Sequence, residues 1–351
     1  TRESLMEFGT FMEFHTRKGL LQTDAFNESF NHVAEAEDLG LNAIWLSESH
    51  FSPDRSVLSA PLIIASSIAS RTKSIKIGTA VQVIPLSNPI RIAEEVATLD
   101  HIAGGRFEFG VGRSGLPRAY DGYGISYGES RDRFYESLEI IESAFINNTF
   151  SYKGKFNSFE NVCLTPKPLQ NPHPKIRVAA TTSDTFETLG KMGYPIFVGV
   201  RGLSLKDVAT QVTTYVNSLG KETPVDIALR VPVHVAKTTS EALTNAEDSF
   251  MKQFRRLGTS LNSSTRQNTS DSTKGRLDRS TELAAIRWED VQGEKVAVGD
   301  PETVVSQLGR MAKELKLTSI IAEFNAGELI SKEKVKESLK LFCKEVIPNF
   351  D

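Results

Sequence analysis

The feature that most constrains this chain is its rhythm, in which runs of strand character alternate with amphipathic helical stretches from one end to the other. MEFGTFM (6–12) precedes a helical stretch over 23–39 that stops at Gly40, AIWLSE (43–48) precedes one over 60–70, and SIKIGTAVQVI (74–84) one over 89–102. RFEFGVG (106–112) leads through a glycine-rich loop to 130–147, KIRVAAT (175–181) to 184–192, and PIFVGV (195–200) to 204–219. VDIALRVPVHVA (225–236) leads to 240–257 and LTSIIAEF (317–324) to 332–346, which completes eight strand–helix units. Strict alternation with right-handed crossovers permits an open doubly wound sheet or a closed barrel, and eight units favour a (β/α)8 TIM barrel.

Two stretches break the rhythm. Residues 147–174 read as a hairpin followed by a proline-rich connection. Residues 259–290, TSLNSSTRQNTSDSTKGRLDRSTELAAIRWED, are polar and much longer than an ordinary barrel loop, so they are expected to form a mobile lid inserted near strand seven and its helix, within a single domain spanning 1–351. Hydrophobic residues make up 39% and charged residues 24%, with a net charge of −3, which suits a soluble protein and gives no reason to expect nucleic acid as a partner. Cys163 and Cys343 form no C-x-x-C pair, so no disulfide framework or zinc site is expected and a reducing cytoplasm fits. The longest apolar run, APLIIASSIAS, is too short to span a bilayer, and no basic-then-apolar leader opens the chain.

Gly110, Gly112 and Gly115 spell G-x-G-x-x-G, the pattern of dinucleotide-binding turns. A Rossmann fingerprint needs a first strand, an immediate helix and an acidic residue at the end of the next strand. Here the glycines follow the fourth strand and run into LPRAYDGYGIS before any long helix, so the fingerprint fails. Arg113 stands where a strand end would meet the barrel mouth, and its guanidinium suits a phosphate. Thr181, Thr182, Ser183 and Thr185 crowd the start of the next helical stretch, where free N–H groups and hydroxyls suit an anion, although the same pattern also serves as an ordinary helix cap.

The stretches FGTF (8–11), AEAEDLGLNAIWLSESHF (34–51), RTKSIKIGTAVQVIPLSNPIRIAEEVATLDHIAGGRFEFGVGRSG (71–115) and GDPETVVSQL (299–308) resemble the bacterial luciferase-like flavin monooxygenases, as does FNAGELISKEKVKESLKLFCKEVIPNF (324–350). The resemblance implies a barrel that binds reduced FMN at the C-terminal ends of its strands and reacts it with O2 to a C4a-hydroperoxide that oxygenates a small organic substrate. It further implies a separate flavin reductase and a homodimer. Arg113, Thr181, Thr182 and Thr185 fall on the phosphate-binding positions, and Ala80–Val81 on the non-proline cis peptide that supports the flavin ring in many relatives. The glycines would then let backbone pass close to a mononucleotide. Glu48, Ser49 and His50 fall on a Glu-His-His of light-emitting subunits, so Ser49 replaces a catalytic histidine and luminescence is not expected. His50, with Glu48 to orient it, and His15 are left as candidate proton donors or acceptors, each also readable as a packed or solvent-facing side chain. The alternatives are a noncatalytic flavin-binding subunit and a deazaflavin-dependent hydride-transfer enzyme.

Overall fold

The computed structural model describes residues 6–265 and 272–350. Eight parallel strands close a barrel: β1 (Glu7–Met12), β2 (Ala43–Leu46), β3 (Lys76–Thr79), β4 (Phe107–Gly112), β5 (Ile176–Ala179), β6 (Ile196–Gly199), β7 (Ile227–Val235) and β8 (Ser319–Glu323). Each strand pairs with the next, and β8 pairs back to β1 through Glu7 with Ser319 and Thr10 with Ala322. The chain is therefore a (β/α)8 TIM barrel. The helices begin where the sequence supplies caps: Asn88 accepts from the Ile90 and Arg91 amides ahead of Pro89–Ile102, and Ser204, Asp300 and Ser331 each accept from an amide of the following first turn.

The main apolar core lies between the strands and the helix ring, and a second, smaller one lies inside the barrel, formed by Phe11, Ala43, Trp45, Phe197, Ala228 and Ile321. The Trp45 indole fits there because its neighbours across the sheet are glycines: a Cβ at Gly9 would stand 2.8 Å, and one at Gly78 2.3 Å, from indole carbons. This aromatic layer floors the C-terminal mouth. Near the opposite end Arg177 is buried against Asp226 at 2.7 Å.

The excursion after β7 differs from the sequence reading. The helix after β7 runs over Thr239–Thr265, returns as Ser272–Ala285, and is an insertion rather than the seventh barrel helix. The barrel position belongs to Pro301–Leu315, which packs between the helix Leu205–Ser218 and the C-terminal turn Phe342–Val346. The insertion leaves and rejoins at one point, where Ala297–Gly299 pairs with Val233–Val235 and Asp300 bonds Thr239. Periodicity alone cannot separate these two helices, because both are amphipathic. The hairpin expected within 147–174 is the antiparallel pair Phe150–Lys153 and Ser158–Val162. Among the described residues, no helix is long and apolar enough to cross a membrane.

Candidate active site

The strand β3 is interrupted at its C-terminal end by a cis peptide bond between Ala80 and Val81, after which Gln82–Val83 pairs with Val111–Gly112 of β4. Ala80 and Val81 are half-buried and pack on the aromatic floor. The glycines of β4 answer to this crossing: a Cβ on Gly110 would lie 1.7 Å from the Thr79 carbonyl oxygen, and one on Gly112 would lie 2.5 Å from a Val81 methyl. Gly115 has open space around it. The first two glycines are thus required by neighbouring protein backbone and side chain, whatever passes them on the ligand side.

At the ends of the neighbouring strands β4 and β5 the two candidate phosphate elements meet. Arg113 donates to Ser130 Oγ at 3.2 Å, and its carbonyl accepts from the Tyr120 hydroxyl. Arg131, the next residue of the helix Ser130–Ile146, pairs with Asp184 in the first turn of the helix Ser183–Met192. Thr182 Oγ1 donates to Asp184 Oδ1 at 2.7 Å and lies 2.7 Å from Thr185 Oγ1, while Thr181 is exposed. Thr182 holds the cap position without a side-chain cap bond, so the start of this helix keeps amides that no capping hydroxyl has taken. Two helix N-termini and one guanidinium therefore converge on one rim, an arrangement that favours a phosphate. Sequence reasoning missed Ser130, Arg131 and Asp184. Their position at a helix start was visible, but the pairing of two helix starts is a tertiary fact.

Glu48, Ser49 and His50 follow β2. Glu48 Oε2 accepts from the Val83 amide at 2.7 Å, and His50 Nε2 lies 2.6 Å from Glu48 Oε1, with both side chains almost fully buried. Tyr123, on the loop after β4, stands with its hydroxyl 3.4 Å from His50 Nδ1 and its ring edge-on to the imidazole. Glu48 thus joins the backbone just beyond the cis bond to His50, and Tyr123 carries the line outward, since it is 48% exposed. Ser49 is buried, with its amide bonded to Leu58.

His15 belongs to a different group. It lies 3.9 Å from Glu13 and 4.0 Å from Glu328, in a charged network at the β1, β7 and β8 ends of the mouth, and shares no contact with Glu48 or His50. Arg55 pairs with Glu13, and Arg230 bonds Glu323 at 2.8 Å while lying over the Phe11 ring at 3.2 Å. Burial would raise the Glu13 carboxyl, but Arg55, Arg230 and His15 override it and hold Glu13 well below the usual carboxylate range. Glu13, His15 and Glu323 offer atoms within 4.8 Å of one another, as a metal would require, yet the guanidinium groups already take up both carboxylates. The inserted helix closes on the same network: Gln253 bonds Glu323 at 2.7 Å, and Lys252 and Arg256 pair with Glu328. Glu13, Arg230 and Glu323 also escaped sequence reasoning; the available signal was a charge set inside or at the end of an otherwise apolar strand. A crevice of about 750 Å³ opens from this network outward between the helices Gln22–Asp38 and Lys332–Leu341, away from the cis peptide and Arg113. The convergent polar groups around Ala80–Val81 and Arg113 make a better reaction site than this crevice.

The model of a family described as luciferase-like monooxygenase matches residues 6–318. An uncharacterised protein of Sinorhizobium fredii is 38% identical over 154 residues, a stretch covering 44% of this chain and 45% of that protein, so the match spans less than half of the relative. The alkanal monooxygenase alpha chain of Photorhabdus luminescens is 23% identical over 98% of this chain and 96% of its own. Among solved structures, the oxygenating constituent of 3,6-diketocamphane monooxygenase from Pseudomonas putida, in complex with FMN, superposes with a TM-score of 0.79 at 21% identity, covering 98% of both chains.

Proposed function

From a chain that belongs to the luciferase-like monooxygenase family, we propose a reduced-FMN-dependent monooxygenase that acts on a small organic substrate, works with a separate flavin reductase and assembles as a homodimer. The observation that carries this reading is the cradle itself: a cis segment at Ala80–Val81 above an aromatic floor, with Arg113 and two helix N-termini along one rim. The residues fit FMN, because the floor is apolar and aromatic while the rim supplies a cation and helix-start amides that no capping hydroxyl has taken for one phosphate. Arg113, Thr182 and Thr185 would hold the phosphate, Thr181 would contribute its backbone, and Ala80–Val81 would support the ring.

When bound, reduced FMN supplies the electrons that activate O2. The rest falls to the protein. His50, oriented by Glu48, holds or moves a proton at its imidazole, and Tyr123 links that ring to solvent. Ser49 has no group that titrates near neutral pH and relays at most. The 259–290 segment is read as a cover for the mouth that excludes water; its residues 266–271 lie outside the described residues.

The test is an anaerobic titration with reduced FMN followed by an oxygen pulse. Flavin reoxidation slowed relative to free FMN, with a distinct transient absorbance, is the expected result. Tight binding with unslowed reoxidation would identify a noncatalytic flavin-binding subunit, and failure to bind FMN while binding a deazaflavin would replace the cofactor. Arg113→Ala should weaken FMN binding about tenfold or more, since it removes a charge-assisted contact, whereas Arg118→Ala, at an exposed position, should leave it unchanged. Equal affinities in the two variants would remove the assignment.

A further inference from the structure

Among the described residues, Arg201 at the barrel mouth is a cation without a hydrogen-bond or ion-pair partner. On β6, Phe197 faces the barrel interior as part of the aromatic floor, so by the two-residue period of a strand Gly199 and then Arg201, just past the strand end, point to the same side. Gly199 is paired in register with Arg230 and yet exposed, which marks open space above Phe197 at this point of the mouth. Arg201 is half-buried beside Arg230, Arg55, Glu13 and Glu323, and it makes no hydrogen bond or ion pair with any described residue. The carboxylates beside it are already committed, Glu13 to Arg55 and Glu323 to Arg230 and Gln253, and Glu328 of the same network is held by Lys252 and Arg256. Three carboxylates thus face the five cations Arg55, Arg201, Arg230, Lys252 and Arg256, and the excess of positive charge falls where space is open.

We propose that Arg201 receives an anionic group of the organic substrate, a carboxylate or comparable oxyanion, at the β6–β7 side of the mouth, beside the β4–β5 rim assigned to the FMN phosphate. This rests on the flavin reading above for what happens to that substrate, but not for the anion site itself. A guanidinium with no partner, crowded by like charges, is costly to keep unless it pairs with something that arrives. Burial, followed by repulsion from Arg230, brings the Arg201 group down to about 10, in keeping with a cation still lacking its counter-charge.

The experiment measures binding of small carboxylates and their uncharged amides, benzoate against benzamide and hexanoate against hexanamide, by ligand-observed NMR on the full-length parent, Arg201→Met and Arg201→Lys. FMN affinity is followed separately by flavin fluorescence. The parent should prefer at least one carboxylate over its amide by about tenfold or more, Arg201→Met should lose that preference, and Arg201→Lys should keep part of it. FMN affinity should stay within about twofold across the three proteins, and the melting temperature of Arg201→Met should not fall, because no contact is removed and a repulsion is relieved. No preference for any carboxylate in the parent, a preference that survives in Arg201→Met, or a loss of FMN affinity in its place would each overturn the proposal. A parent that prefers the carboxylate and binds no FMN would keep the anion site and sink the flavin reading.

Discussion

At Gly110 a methyl group would have to occupy the position of the Thr79 carbonyl oxygen, 1.7 Å away, and backbone cannot step aside as a side-chain tip can. Gly110→Ala should therefore cost about 3 kcal/mol or more, enough to deplete the folded protein, while Gly115→Ala, in open space, should change stability by no more than about 0.5 kcal/mol. Urea denaturation of both variants checks this, and comparable stabilities would contradict the packing role given to the first glycine. Catalysis at the same scale turns on Ser49 and His50. Because His50 is held by Glu48 at 2.6 Å and an imidazole offers both a donor and an acceptor nitrogen, whereas Ser49 is a buried hydroxyl, Ser49→Ala should retain most product formed per reduced FMN and His50→Ala should lose most of it. The reverse order would reassign the proton to Ser49, and bright emission with a long-chain aldehyde would remove the expectation that this chain is dark.

Among the elements, the inserted helix Thr239–Thr265 has the most at stake, because Lys252 and Arg256 tie it to the barrel rim through a single carboxylate. Burial of Glu328 would raise its carboxyl, but bonds from Arg256 and Lys252 dominate and hold it low. A carboxylate lowered in the folded state stabilises fully above its unfolded value, and that contribution is lost as pH falls through the folded one. Glu328→Gln should thus cost about 3 kcal/mol at pH 7, much less at pH 3, and should also speed proteolysis between 259 and 290. Guanidinium titrations at the two pH values decide it, and a penalty that does not shrink in acid would mean that Glu328 acts through packing instead of charge.

For the molecule as a whole, acid stability depends on groups buried neutral as well as on paired carboxylates. His234, next to last in β7 where that strand pairs with Ala297–Gly299, is 1% exposed, has no partner at either ring nitrogen among the described residues, and is brought by burial from 6.5 down to about 4. The unfolded chain takes up this proton first, so the neutral ring's contribution is complete above pH 6.5 and declines as pH drops from 6.5 to 4. That amounts to about 3 kcal/mol from one side chain. His234→Leu should flatten the stability profile across this window and lose nothing at pH 8, where the imidazole leaves two buried polar atoms unpaired. An unchanged slope would place the acid sensitivity elsewhere.

The barrel could be read from the chain because its cause is local: apolar runs and amphipathic stretches repeat eight times, and each declares its own period. The helix starts at Pro89, Leu205 and Lys332 were legible for the same reason, since Asn88, Ser204 and Ser331 cap them from one residue away. The identity of the seventh barrel helix was not, because Thr239–Thr265 and Pro301–Leu315 are both amphipathic and only packing shows which one joins the ring. The site divides along the same line. Arg113, Thr182, Glu48 and His50 were found as residue types at strand ends, where short-range order places them. The union of two helix starts through Arg131 and Asp184, the dependence of Gly110 on Thr79 and the placing of Arg201, unpaired among the described residues, beside Arg230 and Arg55 join residues from 29 to more than 100 positions apart. Such contacts carry no pattern along the chain, so they exist only once the barrel has closed and set which strand ends are neighbours.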